Sequence, residues 1–561
     1  MVSVNSDDTP TGPITGARAQ QAPPGPGGPG SGHLSFPGQP APGHLTRRRN
    51  TLRDLVAAVL VVLALLFPWN LYFGLGVPDS SGLIWAVLAV VTLLSLTSLV
   101  LSRTRINPVS ASRLRLALNV PYLLLVLAFV VYDVVETIRF GGTVHVPGGV
   151  GPGAWLGVAG ALLAAQPLLT APTTDENQHR GWLRSARIVG YASMFGASLA
   201  SGFNLCWRIR YALRGSDGSM SLGTQNIAVI ITAVVYGVVA LAAVLVASRW
   251  ILQATKPARL TILALGASAL LAGVLVWLLP IGRELDAFHG IAQNTSTAGV
   301  GYEGYLAWAA AAALFAPVTL FAAEGWRTDR EVWRAAIRKG LLLIGVWSLG
   351  SVLMRLTDLV VAVLLNYPLS RYDTMTMAAF DLTTAVLAFW LRINFGNRAL
   401  RPRLVAALSG FLFALTVCRL IVEDVLAPRF ETAPGAAPNP VYGNDLAQQI
   451  TSVFDVTLCF LALSIVAGVI VAARIRPLRR RLRRRRPAPR PAGTGPGQRR
   501  PGGPPPPSEA KTTQFGAADH GDDAPTTVLS GGAGRSPRIF RSTESAQQAP
   551  PKIFRPPGSS S

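Results

Sequence analysis

The chain has 561 residues, half of them hydrophobic and only 14% charged, and Lys and Arg outnumber Asp and Glu 51 to 28 for a net charge of +23. A soluble protein of this size needs far more charge to cover its surface, so the composition argues against a string of soluble domains and for a lipid-embedded chain. The basic excess does not indicate nucleic acid either, because its clusters flank apolar runs in the pattern that orients membrane proteins.

Residues 1–50 are rich in Pro, Gly, Ser and Gln, including the run PGPGGPG at 24–30. They cannot bury enough apolar surface to offset ordering entropy and read as a disordered cytoplasmic tail. The first apolar run begins only near Leu55, after Arg47, Arg48 and Arg49, so it reads as an uncleaved first span rather than a signal peptide. Crossing a hydrocarbon core of about 30 Å takes about 20 helical residues. Stretches of that kind are predicted near 54–73, 83–102, 116–138, 153–171, 186–207, 226–248, 259–280, 304–323, 341–365, 374–393, 404–426 and 449–473. The expected fold is an all-α polytopic transmembrane bundle of about twelve spans over residues 51–473.

The loops supply an independent check. The N-terminal tail carries Arg47, Arg48, Arg49 and Arg53 directly before the first span, and the five later loops on the same side carry 19 basic residues against seven in the six opposite loops. By the positive-inside rule both ends are cytoplasmic, and a bacterial plasma membrane is the expected location. The scarcity of Lys beside abundant Arg, Ala, Gly and Pro fits a GC-rich bacterial genome. Between the eighth and ninth spans, Thr328-Asp329-Arg330-Glu331 reads as a capping box, with Trp326, Trp333 and Ile337 on one helical face. Either a short interfacial helix or a cytoplasmic extension of the ninth span satisfies that pattern.

From Arg474 the chain changes character. Arg474–Arg486 (RIRPLRRRLRRRR) is a juxtamembrane polybasic segment suited to anionic lipids, and residues 474–561 form a disordered basic cytoplasmic tail. Within it Pro537-Arg538-Ile539-Phe540-Arg541 recurs as Pro551-Lys552-Ile553-Phe554-Arg555. Phe540 and Phe554 are candidate anchors for a cytoplasmic protein partner.

No catalytic motif survives inspection. Gly299-Val300-Gly301-Tyr302-Glu303-Gly304 formally matches GxGxxG but sits in an outer loop entering a span, without the strand a dinucleotide site requires. The six His lie in tails or loops, and Cys206, Cys418 and Cys459 fall inside spans without a CxxC pair. No metal site, disulfide framework or cofactor is indicated, and the cysteines read as small buried hydrophobes.

Ionisable residues within spans carry more information, since each is costly in hydrocarbon and needs a partner, water or a substrate. Arg355 and Asp358 lie three apart and Arg419 and Glu423 four apart, so each couple can pair on its own helix. Asp381, Asp455, Asp133 and Glu136 lack such an in-helix Arg and, with Asn70 and Asn204, are candidates for a substrate path. Asp424, Arg208 and Arg210 are nearby polar groups. Under the topology above these charges fall in the outer half of the bilayer, while the inner half holds little beyond Asn119 and Gln166 apart from boundary residues. Interhelical ion pairing and a polar cavity open to the outside both account for them. Pro68, Pro121, Pro167 and Pro280 lie within or at span ends, and Gly196, Ser198, Ala200 and Gly202 offer a surface for close helix packing.

The loop Ser102–Leu116 lacks the Gly and Asp of the motif that major facilitators carry between their second and third spans. The stretch Arg53–Pro78 (RDLVAAVLVVLALLFPWNLYFGLGVP) resembles the openings of an uncharacterised actinobacterial multi-pass membrane protein family, a resemblance covering the first span and implying no activity. The expected function is a transporter or flippase-like permease with an outward-facing polar cavity. The alternative is a non-catalytic membrane scaffold that recruits partners through its tails.

Overall fold

A computed structural model describes residues 42–69, 81–101, 108–140, 149–168, 180–213, 223–279, 302–316, 330–366, 370–397, 400–426 and 453–474. Among the described residues there are twelve α-helices and no strands: α1 (Pro42–Leu66), α2 (Gly82–Leu101), α3 (Pro108–Phe140), α4 (Pro152–Ala165), α5 (Arg180–Leu213), α6 (Thr224–Gln253), α7 (Lys256–Leu278), α8 (Glu303–Ala316), α9 (Arg330–Leu365), α10 (Arg371–Asn394), α11 (Pro402–Leu426) and α12 (Val453–Arg474). Each falls on one of the twelve stretches expected from hydropathy. Eight of them, α2, α3, α6, α7 and α9–α12, are long and apolar enough to cross a membrane, which marks a multi-pass membrane protein.

The other four depart from the expectation for two reasons. Helix α1 is long but carries Arg47, Arg48, Arg49, Arg53 and Asp54, and the uncharged middle of α5 is diluted by Gly, Ser and Asn. Helices α4 and α8 have 14 residues each, about 21 Å at 1.5 Å per residue, short of the roughly 30 Å hydrocarbon core. Helix α4 stops two residues before Pro167, which cannot donate the next backbone hydrogen bond and disfavours helix in the residue before it; the described part of α8 runs to Ala316.

These two short helices lie at the centre of the bundle. Every residue of α4 except Leu162 is buried, as is every residue of α8 except Glu303 and Leu306. Their Gly and Ala content lets neighbouring backbones approach closely. A Cβ on Gly153 would sit 2.5 Å from the Phe67 carbonyl oxygen, and one on Gly266 of α7 would sit 2.5 Å from the Trp308 carbonyl oxygen of α8. The packing groups the helices by fours: α4 packs on α1 and α3, α8 on α5 and α7, and α12 on α9 and α11. In each run the fourth helix is the buried one, and α12 is the most buried of the eight long apolar helices.

A helix that ends inside a bundle leaves carbonyls without intrahelical partners. Here long side chains supply them. Arg115 Nε donates to the Ala164 carbonyl at 2.8 Å and Arg53 Nη1 to the Pro167 carbonyl at 2.7 Å, while Gln166 Nε2 donates to Ala313 in the last turn of α8 at 2.7 Å. Asp54 is the counter-ion of both arginines, at 3.0 Å from Arg53 and 2.5 Å from Arg115. Asn119 is buried beside them and joins α3 to α2, accepting from Ser95 at 2.7 Å and donating to Ser98 at 3.0 Å.

Several local expectations are corrected or resolved. Of the three cysteines only Cys459 is buried, whereas Cys206 and Cys418 are exposed. The packing seam of α5 runs through Ala186, Gly190, Ser193, Ala197 and Ser201, not through Ser198 and Gly202; Ser198 is exposed, and a Cβ on Gly202 would meet nothing within 4 Å. Ser193 is joined to Ser248 of α6 by a 2.8 Å hydroxyl contact. The segment before the ninth span is part of one unbroken helix of 36 residues from Arg330, so from that residue it is an extension of α9; Thr328 lies outside the described residues. Pro121 sits inside α3 without interrupting it. The outward faces are apolar: Leu124, Leu127 and Val131 on α3, and Ile188, Tyr191, Phe195 and Leu199 on α5, are all more than half exposed. Stripes of this kind suit lipid rather than water.

Candidate functional site

The last four helices enclose a buried cluster of charge. On α9, Trp347, Ser351 and Arg355 recur every four residues, so one helix face presents an indole, a hydroxyl and a guanidinium in line, with Asp358 three residues further on. Helix α11 brings Arg419 and Glu423 at the same spacing, α10 brings Asp381, and α12 brings Asp455 from its first turn. Gly345 of α9 lets α10 come close, since a Cβ there would lie 3.0 Å from the Phe389 ring.

The geometry is a bridged double ion pair. Arg355 Nε donates to Asp381 Oδ2 at 2.7 Å, and Arg419 Nε donates to Asp381 Oδ1, so one carboxylate spans both guanidiniums. Both arginines also meet Glu423 Oε1, Arg355 through Nη2 and Arg419 through Nη2 at 2.9 Å. Arg419 Nη1 reaches Asp455 Oδ1 at 2.7 Å, where Trp347 Nε1 donates as well at 2.6 Å. Ser351 Oγ accepts from Arg419 at 3.0 Å, and Met377 Sδ lies 3.3 Å from Arg355 Nη1. On the α6 side the Tyr236 hydroxyl donates to Asp358 at 2.9–3.0 Å. Asp381 is fully buried, and Glu423, Asp455, Arg355 and Asp358 are at most 2% exposed.

Two features keep this from being a closed structural knot. Glu423 Oε2 is buried without a hydrogen-bond partner among the described residues. Two guanidiniums also contact three carboxylates, with the Asp358 carboxylate beside them, so among the described residues of the cluster carboxylates outnumber guanidiniums. Between α6 and α9 the cluster borders a cavity of about 10 Å³, room for about one water molecule, lined by Tyr236, Ser351, Asp358 and both guanidiniums.

The structure thus brings Asp381 and Asp455 into one network with Arg355, Arg419 and Glu423, where the sequence separated them into two groups. Asp381 has no arginine on its own helix face and receives one from each of two neighbouring helices instead. Asp133 is buried in α3 and hydrogen-bonded to the Tyr302 hydroxyl beside Glu303, at the head of α8. Glu136 and Asn204 are half-buried on α3 and α5. Asn70, Phe540, Phe554 and the side chain of Asp424 lie outside the described residues. Sequence reasoning missed Trp347, Ser351 and Tyr236. The first two carried a signal, the four-residue spacing that ends on Arg355, whereas Tyr236 carried none.

An aromatic path links the cluster to the bundle centre. Trp347 packs edge-on against Phe454 at 4.7 Å, Phe454 lies 5.9 Å from Trp308 and 6.4 Å from Tyr305, and Tyr305 stacks on Trp155 at 4.5 Å. The first turns of the three buried helices therefore meet through Trp155, Tyr305 and Phe454.

No curated protein and no solved structure matches the chain. A family model does match residues 50–474, covering all twelve helices but the start of α1, and the chain belongs to that family, described as a domain of unknown function (DUF7937).

Proposed function

We propose that the chain is a twelve-span permease of the bacterial plasma membrane, with both ends cytoplasmic and the α9–α12 charge cluster at the wall of its outward-facing cargo path. The observation that carries this reading is a buried cluster in which, among the described residues, carboxylates outnumber guanidiniums beside a water-sized cavity. A purely structural ion-pair cluster gains nothing from an excess carboxylate, because an uncompensated buried charge is costly. Intramembrane charges with spare capacity are the usual mark of ion and substrate paths. The polybasic segment at Arg474–Arg486 would hold the tail against anionic lipid in this arrangement.

Complementation of a deletion strain separates this reading from a scaffold acting through its tails. Asp358→Asn keeps the side chain's size and an acceptor for the Tyr236 hydroxyl but removes the charge at the cavity. The permease reading expects a truncation to residues 1–476 to restore the phenotype and Asp358→Asn to fail, with both present in the membrane at full-chain levels. The reverse result would replace the permease with a scaffold whose contacts include Phe540 and Phe554.

The topology has its own test. In a cysteine-free background, single Cys residues at Ser80, Thr295 and Ala437 are expected to react with an impermeant thiol reagent in intact cells. Cys residues at Ser110 and Thr328 are expected to react only after lysis. Labelling of the second pair in intact cells would overturn the twelve-span arrangement.

A further inference from the structure

We infer that Glu423 is a proton-binding site, the point at which a single proton enters and leaves the charge cluster. The assignment rests on the permease reading for its purpose, since it gives the path a coupling ion. Its grounds are separate. Asp381 commits one oxygen to each arginine, and Asp455 takes both Arg419 and Trp347 on Oδ1. Glu423 directs a single oxygen at both guanidiniums and leaves Oε2 buried and unpartnered among the described residues. An unpartnered buried oxygen is costly in either form, but less so on a neutral carboxylic acid than on a carboxylate.

One proton on Oε2 also leaves the two guanidiniums facing Asp381 and Asp455 as the charged carboxylates they contact. No bond other than O–H forms or breaks. The groups facing Glu423 are Arg355 from α9, Asp381 from α10, Arg419 on its own helix, and Asp455 and Cys459 from α12. Both guanidiniums lie against Glu423 Oε1, and two positive charges so close repel a metal cation at Oε2, where a proton needs no shell of oxygens.

The test is pH-difference infrared spectroscopy on the full chain reconstituted in lipid bilayers, which needs no cargo. The wild type is expected to show the carbonyl stretch of a buried protonated carboxylic acid, shifted by deuterium oxide and indifferent to exchange of sodium for choline. Glu423→Gln should lose that band, and Glu423→Asp should keep it at a shifted frequency. Labelling glutamate carboxyl groups with carbon-13 in the unmutated protein should move the same band, so the assignment stands even where a variant fails to fold. A band that ignores the glutamate label, or one that survives in Glu423→Gln, would overturn the proposal, and a band abolished by sodium would replace the proton with a metal cation. Loss of the band alongside full complementation by Glu423→Gln would instead retire the permease reading and leave the proton site in place.

Discussion

Arg419→Met is expected to deplete folded protein from the membrane more severely than any single carboxylate substitution in the α9–α12 cluster. Arg419 donates to Asp381, Glu423, Asp455 and Ser351 from one buried guanidinium. Without it Asp455 loses its guanidinium contact, and Arg355 alone is left facing Asp381 and Glu423. Breaking one buried pair by removing a partner costs roughly 3–5 kcal/mol, a large part of the roughly 5–15 kcal/mol by which a folded domain is stable. Thermal unfolding followed by size-exclusion chromatography in detergent reads the loss as a lower melting temperature and a diminished monodisperse peak. Adding Asp455→Asn should recover part of it, because that change removes one of the stranded charges. Wild-type melting of Arg419→Met would mean that the cluster holds nothing together.

Gly266→Leu should be as damaging for an unrelated reason. The position a Cβ would take lies 2.5 Å from the Trp308 carbonyl oxygen and 2.6 Å from the Ala312 Cβ. The first is backbone and the second is fixed to it, so no side-chain rotation relieves the overlap; α7 and α8 have to separate. The cost therefore lies at or beyond the upper end of the about 1–3 kcal/mol of an overpacked core, and the protein should fail to accumulate. Gly202→Leu on α5 is the matched control: nothing lies within 4 Å of its Cβ position, and its melting temperature should stay near the wild type's. Equal behaviour of the two variants would refute the close packing of α7 on α8.

How much of this was legible in the sequence depends on whether a feature is local. Twelve apolar stretches became twelve helices because hydrophobic run length is a local property. The shortness of α4 was only half-visible: Pro167 is plain to see, but whether a helix stops at a proline or continues through it, as α3 does at Pro121, is decided by what surrounds it. Arg53 and Arg115 read as loop charges, yet they are buried because the carbonyls at the end of α4 need donors, a demand arising only once that helix ends inside the bundle. The couple Arg419–Glu423 could be read from its spacing. The Arg355–Asp381 and Arg419–Asp455 contacts could not, because they join residues 26 and 36 positions apart on different helices.

The same cross-helix pairing constrains how the protein enters the membrane in the first place. An Asp, Lys or Arg at the centre of a lone span adds about 2.5–3.5 kcal/mol to its insertion from the translocon, and α10, the least apolar of the eight long helices, carries Asp381 there. Helix α9 brings Arg355 and α11 brings Arg419 with Glu423, so none of the three leaves the channel cheaply alone. As α10 emerges, Asp381 can meet Arg355 of the waiting α9; α11 then adds Arg419 to the same carboxylate, and α12 delivers Asp455 last. Release into lipid is thereby tied to assembly, and a chain cut short before α12 would strand Arg419 without one of its counter-ions, exposing a charged helix to membrane quality control.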